Sequence, residues 1–159
     1  MIEPGPDGGP DLLVVYGTLR SGTGWRERLG VDGLVRPRGR CVLAGALYDL
    51  GWYPGLVMGL DGGADHPQGD GPVVAEVLEL LDGEALATFD RFEGYDPQHP
   101  AESEYRRVTV PVAIEPAGEQ AGGPQAAWVY LFNRPVRPDQ RVAGGDWLEH
   151  LATRSPPHS

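Results

Sequence analysis

The sequence contains no lysine, a single cysteine and no long apolar run. All 13 positive side chains are arginines, against 23 Asp and Glu, and the formal net charge is −10. A chain this negative repels the phosphate backbone of nucleic acids and the surface of anionic membranes, so we expect neither as a partner. A lone cysteine, Cys41, excludes an internal disulfide and a cluster of thiolate metal ligands. Its neighbours Val42 and Leu43 indicate a buried, unreactive thiol.

Two further features are missing: the layout of a secretory signal and an apolar stretch long enough to span a bilayer. Residues 1–11 are instead acidic and rich in proline and glycine. We therefore expect a soluble, cytoplasmic protein with one domain over residues 12–153, between a flexible tail at 1–11 and another at 154–159.

Hydrophobic patterning predicts an α+β protein that is rich in strands. The strand segments are 12–15, 34–50, 73–81, 105–114 and 126–132, and helices are predicted at 25–29, 83–93 and 146–152. Residues 51–55 are predicted to be a loop, and polar insertions are predicted at 60–72 and 116–125. Because the strands do not alternate strictly with helices, we expect a small mixed or antiparallel β-barrel or roll of about six strands, flanked by a few short helices.

The segment at 12–20 is the one around which the rest is organised. Four apolar residues, two of them β-branched, run into Tyr16 and Gly17, which is typical of a short strand buried on both faces. Gly17 allows the backbone to turn sharply and another group to approach closely. The amides of Thr18 and Leu19 just beyond it are candidate hydrogen-bond donors to a bound molecule.

The predicted helix at 83–93 carries the main candidate for acid–base chemistry. Asp82 is a suitable N-cap, Gly94 ends the helix, and Phe89 lies on its apolar stripe. Glu93 falls at the edge of that stripe, which predicts partial desolvation, a raised pKa and a better proton acceptor near neutral pH. The alternative is that Glu93 points outward at the last turn, or pairs with an arginine: Arg91, Arg106 or Arg107.

The sequence gives little support to a phosphate-binding loop or a metal site. Residues 17–23 faintly resemble a phosphate-binding loop, but the lysine that such a loop requires is missing from the chain. The four histidines, His66, His99, His150 and His158, show no spacing typical of metal ligands. We therefore expect no metal site.

Five segments together resemble the γ-glutamylcyclotransferase/AIG2-like family over roughly residues 12–133. Their order and approximate spacing match those of the family. The segments are Val15-Tyr16-Gly17-Thr18-Leu19-Arg20, Tyr53-Pro54-Gly55-Leu56, Phe89-Asp90-Arg91-Phe92-Glu93-Gly94-Tyr95, Tyr105-Arg106-Arg107-Val108 and Trp128-Val129-Tyr130.

The resemblance implies a small β-barrel flanked by helices and an enzyme that cyclises a γ-glutamyl group to 5-oxoproline, releasing an amine or amino acid. It implies that Glu93 is the catalytic acid and base and that no cofactor is needed. The other residues that it places around a small-molecule γ-glutamyl substrate are Tyr16, Gly17, Thr18, Leu19, Arg20, Tyr53, Pro54, Gly55, Tyr105 and Tyr130. The alternative is a non-catalytic binding module that kept the same pocket. The sequence indicates neither the leaving amine nor the oligomeric state.

Overall fold

A computed structural model describes residues 10–17, 19–20, 24–51, 53–58, 71–115 and 125–153, and the structural statements that follow concern those residues. Most of the predicted tails and of the insertions at 60–72 and 116–125 therefore lie outside the described residues. The strands are β1 (Leu12–Val15), β2 (Val35–Asp49), β3 (Pro54–Val57), β4 (Gly71–Leu80), β5 (Tyr105–Val112) and β6 (Gln125–Phe132). The helices are α1 (Trp25–Leu29), α2 (Gly83–Glu93) and α3 (Trp147–Thr153).

The six strands form one mixed sheet in the order β3-β2-β4-β1-β6-β5. The β1–β6 pair is parallel and the other pairs are antiparallel. This confirms the α+β class and the expected number of strands. Within the described residues no ladder joins β3 to β5, so these ladders show a six-stranded sheet but not the closure of a barrel.

Strand β1 lies inside the molecule, as its apolar run predicts. Leu12 and Val14 belong to one hydrophobic cluster, which also contains Trp147 of α3. Leu13 and Val15 point the other way, into a second cluster that contains Phe89 of α2. Because successive side chains of a strand alternate between faces, β1 is covered on both sides and its end is held rigidly.

Helix α2 begins and ends where the sequence predicts. The side chain of Asp82 accepts a hydrogen bond of 2.8 Å from the Glu84 amide at the helix start. Gly94 adopts φ 69° and ends the helix, so Glu93 is its last residue. The buried side of the helix carries Ala85, Leu86 and Phe89. Their packing fixes the direction in which the last turn of the helix points.

The loop predicted at 51–55 is wrong in its second half, because Pro54–Val57 forms β3. This strand pairs with residues 46–49 of β2. Pro and Gly disfavour strands, but a proline is tolerated at the first position of an edge strand, where its missing N–H costs no ladder bond. β4 also begins earlier than predicted, at Gly71. Pro111 lies in β5, at the opposite edge of the sheet, where a proline is tolerated.

Within the described part of the chain, no helix is long and apolar enough to cross a membrane.

Candidate functional site

A cavity of ≈ 390 Å³ opens at the end of β1. Its walls come from the end of β1 and the turn that follows, from the start of β3, from the end of α2, and from β5 and β6. The lining residues are Val14, Val15, Tyr16, Gly17, Leu19, Tyr53, Pro54, Phe92, Glu93, Glu104, Tyr105 and Tyr130.

The floor of the cavity depends on a close contact between Gly17 and Pro54. A Cβ on Gly17 would overlap Pro54 Cγ and lie 2.8 Å from Pro54 Cδ. The turn is closed by a hydrogen bond of 3.0 Å from the Arg20 amide to the Gly17 carbonyl. The glycine therefore lets the chain turn directly beneath β3.

We expect Gly17→Ala to destabilise the protein by about 1–3 kcal/mol, because the new methyl group must displace Pro54 and the start of β3. Thermal denaturation should show a Tm lower by roughly 3–10 °C for a chain of this size. Gly33→Ala is the matched control, because a methyl group added at that position would meet no atom within 4 Å. Equal melting temperatures for the two variants would mean that Pro54 yields without cost.

Two buried tyrosines join the walls of the cavity. The Tyr16 hydroxyl donates a hydrogen bond of 2.6 Å to the carbonyl of Tyr130 and accepts one of 3.3 Å from the Leu56 amide. The Tyr105 hydroxyl donates 2.7 Å to the carbonyl of Pro54. These bonds tie β3 to β1 and β5 around the cavity. Burial, the largest effect, raises the pKa of both phenols well above the ordinary value, so they remain neutral hydrogen-bonding groups.

Tyr130 belongs to a second network, which holds α2. Its hydroxyl donates a hydrogen bond of 2.6 Å to Asp90 Oδ1. Arg107 Nε lies 3.1 Å from the same oxygen, and the Arg107 guanidinium stacks on Trp128 with 4.3 Å to the ring centroid. Asp90 is thus fixed by partners from β5 and β6, one helical turn before Glu93.

Glu93 projects from the end of α2 into the cavity and is half-buried. Within the described residues its carboxylate has no hydrogen-bonding or ion-pair partner. Burial raises its pKa to about 8, and the negative charges of Glu104 and Asp90 add to the effect. A carboxyl group with this pKa exchanges its proton near neutral pH, which suits general acid–base chemistry on a bound molecule. The predicted partial desolvation of Glu93 is confirmed.

The rim of the cavity is formed by Tyr53 and Glu104. The Tyr53 hydroxyl donates a hydrogen bond of 2.6 Å to Glu104 Oε2. This bond, together with partial burial and the charge of Glu104, raises the pKa of Tyr53. Tyr53 is 37% exposed, the largest exposure among the lining hydrophobic residues.

The structure brings together most of the residues that the sequence places at the site. Eight of them line the cavity: Tyr16, Gly17, Leu19, Tyr53, Pro54, Glu93, Tyr105 and Tyr130. Gly55 lies against Phe132 instead, where a Cβ would come within 2.8 Å of Phe132 Cβ. Arg20 is outside the lining and is paired with Glu76 and Asp146. Thr18 lies outside the described residues.

Sequence reasoning missed Phe92 and Glu104 in the lining, and it did not single out Asp90. Asp90 is in fact only 8% exposed. Its position three residues before Glu93 is the signal that could have found it, because residues i and i+3 share a helix face. Glu104 has a weaker signal, its place next to Tyr105.

The apolar neighbours of Cys41 predict a buried, unreactive thiol, and the structure agrees with this prediction. Cys41 is buried, and burial, the main cause, together with the charge of Glu115 raises the pKa of its thiol to about 11. It is therefore a thiol with little reactive thiolate.

In the described part of the chain, no three His, Cys, Asp or Glu side chains are grouped in a way that could hold a metal ion.

Comparison with known proteins gives consistent matches. Residues 13–149 match the family model described as "Gamma-glutamyl cyclotransferase, AIG2-like". A protein of Vibrio cholerae named "Putative gamma-glutamylcyclotransferase" is 32% identical over 145 residues, which cover 88% of this chain and 97% of the relative.

Solved structures share the fold. The crystal structure of an AIG2-like protein from Mus musculus has a TM-score of 0.57 at 23% identity, covering 82% of this chain and 81% of that one. The solution structure of protein ytfP from Escherichia coli has a TM-score of 0.53 at 26% identity, covering 87% and 97%.

Proposed function

The chain belongs to the gamma-glutamyl cyclotransferase, AIG2-like family, and from this premise we propose that it cyclises a γ-glutamyl group to 5-oxoproline and releases the attached amine or amino acid. The observation that carries the proposal is the half-buried carboxyl of Glu93, with its pKa raised to about 8, in the wall of the cavity at the end of β1.

The reaction needs one proton to be moved twice. Glu93 accepts a proton from the α-amino group of the substrate, whose nitrogen attacks the γ-carbonyl carbon and forms the new C–N bond. The C–N bond to the attached amine then breaks, and Glu93 returns the proton to the departing nitrogen. Both proton transfers lie within reach of one side chain, so a single acid and base suffices.

The turn after β1 supports the charge that develops on the carbonyl oxygen. We propose that the main-chain amides of Gly17 and Leu19, two residues of the cavity lining, donate to this oxygen, and each such donor contributes roughly 3 kcal/mol to stabilising the transition state. The hydroxyl groups of Tyr16, Tyr105 and Tyr130 are neutral and hydrogen-bonded within the protein. These residues therefore shape the cavity, which holds the substrate in a folded conformation. Because ring closure is intramolecular, positioning is a large part of the catalysis. The proposed reaction uses no cofactor.

The test is incubation with γ-glutamyl amides of simple amines and amino acids, followed by mass spectrometry. We expect 5-oxoproline and the free amine to appear in equal amounts. The matched control is the same amide with its α-amino group acetylated, because it lacks the attacking nucleophile and should give no product. Free glutamate in place of 5-oxoproline would indicate hydrolysis and contradict the proposal. Tight binding without any product would favour the binding-module alternative.

A further inference from the structure

Arg107 occupies a buried position beside the end of the helix that carries Glu93. Its Nε atom lies 3.1 Å from Asp90 Oδ1, and its side chain is 7% exposed. The guanidinium also lies over two aromatic rings, with 4.3 Å to the centroid of Trp128 and 5.4 Å to that of Tyr95. Arg107 therefore links β5 to residues on both sides of Glu93 in the chain.

The segment from Asp90 to Tyr95 is closed into a turn by its own backbone. The Tyr95 amide donates a hydrogen bond of 2.9 Å to the Asp90 carbonyl. Glu93, the last residue of α2, lies inside this turn, and Arg107 contacts the first and the last residue of it. Within the described residues no hydrogen bond holds the Glu93 carboxylate itself, so its direction depends on how firmly the turn is held.

The carboxylate of Asp90 also reaches two walls of the cavity. It accepts a hydrogen bond of 2.6 Å from the Tyr130 hydroxyl, and the Tyr130 carbonyl accepts one of 2.6 Å from the Tyr16 hydroxyl. Arg107 is not among the residues that line the cavity. Its influence on a bound molecule therefore passes through Glu93 and these walls rather than through direct contact.

The ion pair is not needed to form the helix. α2 has an N-cap in Asp82 and a C-terminal glycine in Gly94. A buried ion pair is also weak evidence for stability, because apolar side chains of similar volume often serve as well. What the guanidinium adds is direction, since its planar group forms charge-assisted contacts and stacks on aromatic rings at the same time. Arg107 uses both kinds of contact, one at each end of the turn around Glu93.

The charges around Glu93 explain why an anion accompanies this cation. The titratable groups that face Glu93 are Asp90, Glu104, Tyr16, Tyr105 and Tyr130. Burial, Glu104 and Asp90 raise the pKa of Glu93 to about 8. A guanidinium whose charge was not balanced would favour the ionised carboxylate and lower that pKa. Because Asp90 offsets the charge of Arg107, the pair can hold Glu93 in place without making it a weaker base.

We propose that Arg107 is a positioning residue for the reaction, which clamps Asp90 and Tyr95 at the two ends of the turn that carries Glu93, while Asp90 balances its charge. This role rests on the proposed function, because Glu93 is the acid and base of that reaction. Since Arg107 does not touch the substrate, its loss should affect the chemical step more than the binding of the amide.

Arg107→Lys keeps the charge but loses the planar group that lies over Tyr95. With the γ-glutamyl amide of n-butylamine as substrate, we expect kcat to fall about ten- to a hundredfold, the effect of a small misplacement of a catalytic group. KM should change less than about twofold, because the lining is intact. Arg106→Lys, on the opposite face of the same strand, is the matched control and should keep the wild-type kcat. Thermal denaturation of both variants checks that they are folded at the assay temperature.

Asp90→Asn tests the balance of charge. Asn has nearly the same shape and still accepts the hydrogen bond of the Tyr130 hydroxyl, but it removes the negative charge beside the guanidinium of Arg107. We expect the rise of kcat/KM with pH to move about one pH unit below that of the wild type. Arg107→Lys keeps both charges and should leave the midpoint of that rise in place. A purely structural role of the pair would move neither midpoint.

Hydrogen exchange measures the clamp without a substrate. The Tyr95 amide closes the turn on Asp90, so local opening of the turn exposes it to solvent. We expect this amide to exchange about tenfold faster in Arg107→Lys than in the wild type, and at the wild-type rate in Arg106→Lys.

The possible outcomes distinguish the clamp from the reaction that it serves. Absence of 5-oxoproline with the wild type would overturn the proposed function, and hydrogen exchange would still decide whether the clamp exists. Equal kcat for the wild type and Arg107→Lys would leave the function intact and overturn the positioning role. A rise in KM with kcat unchanged would overturn it as well, since it would indicate contact with the substrate. Unchanged exchange at Tyr95 in Arg107→Lys would overturn the clamp, and an unmoved midpoint in Asp90→Asn would overturn the balance of charge.

Discussion

Glu93→Gln is expected to lower kcat for 5-oxoproline formation by about 10²- to 10⁴-fold, which is the range for loss of a general acid or base. Gln has nearly the same shape and still fits the cavity, but it neither accepts the proton of the α-amino group nor returns it to the departing nitrogen. The matched control is Glu84→Gln, an exposed residue in the first turn of the same helix. Activity of Glu93→Gln near the wild-type level would show that another group moves the proton.

The pH dependence of kcat/KM for the wild-type protein should follow the ionisation of Glu93. In the protein without substrate the pKa of Glu93 is raised to about 8, so its carboxyl is ionised in only a minority of molecules at pH 7. We expect kcat/KM to rise about tenfold per pH unit at low pH and to level off above about pH 8. Glu104→Gln removes a negative neighbour and should move this rise to lower pH. A rise centred near 4.5 would contradict the desolvated position of Glu93.

The pH dependence of the free energy of unfolding gives an independent measure of the desolvation of Glu93. The folded protein holds the Glu93 proton with a pKa of about 8, against an ordinary value of 4.5. The folded state therefore binds the proton more tightly, and the wild type loses stability as pH rises from about 4.5 to 8. Glu93→Gln has no such loss. Its Tm should match the wild type near pH 4.5 and exceed it above pH 8 by roughly 5–15 °C, for a difference of about 2–4 kcal/mol.

Strand β1 and helix α2 were predictable from the sequence, because local sequence patterns determine them. β1 is a short apolar run with a turn after it, and its burial on both faces follows from that composition. Helix α2 has an N-cap in Asp82, a C-terminal glycine in Gly94 and an apolar stripe between them. Since these signals are local, they also predicted that Glu93 leaves the helix at the edge of its buried face.

What sequence reasoning missed depends on partners distant in the chain. β3 contains Pro54 and Gly55, two residues with low strand propensity, and it forms because β2 offers a strand to pair with. Asp90 is buried because Tyr130 and Arg107, on β6 and β5, satisfy its charge. The i, i+3 spacing puts Asp90 on the same helix face as Glu93, but nothing along α2 identifies the distant partners that make its burial possible.

Arg20→Leu is expected to destabilise the protein by about 3–5 kcal/mol, the range for removal of one partner from a buried ion pair. Arg20 is 5% exposed, and its Nε and Nη1 atoms lie 3.0 Å from Glu76 Oε2 and 2.9 Å from Asp146 Oδ1. It thus ties the turn after β1 to β4 and to the start of α3. Without it, two partly buried carboxylates face each other with no guanidinium between them. Thermal denaturation at pH 7 should show a Tm lower by about 10–15 °C.

The effect of Arg20→Leu should shrink in acid. Burial opposes ionisation of Asp146, but the hydrogen bond from the Glu149 amide and the charge of Arg20 hold the pKa of its carboxyl below the ordinary value. Stability from this pair is therefore present at neutral pH and is lost as pH falls below about 4. Arg36→Leu is the control, because its ion pair with Glu79 is exposed on the arginine side and should be worth less than about 1 kcal/mol. An unchanged Tm for Arg20→Leu, with a raised KM for the γ-glutamyl substrate, would instead place Arg20 in contact with the substrate.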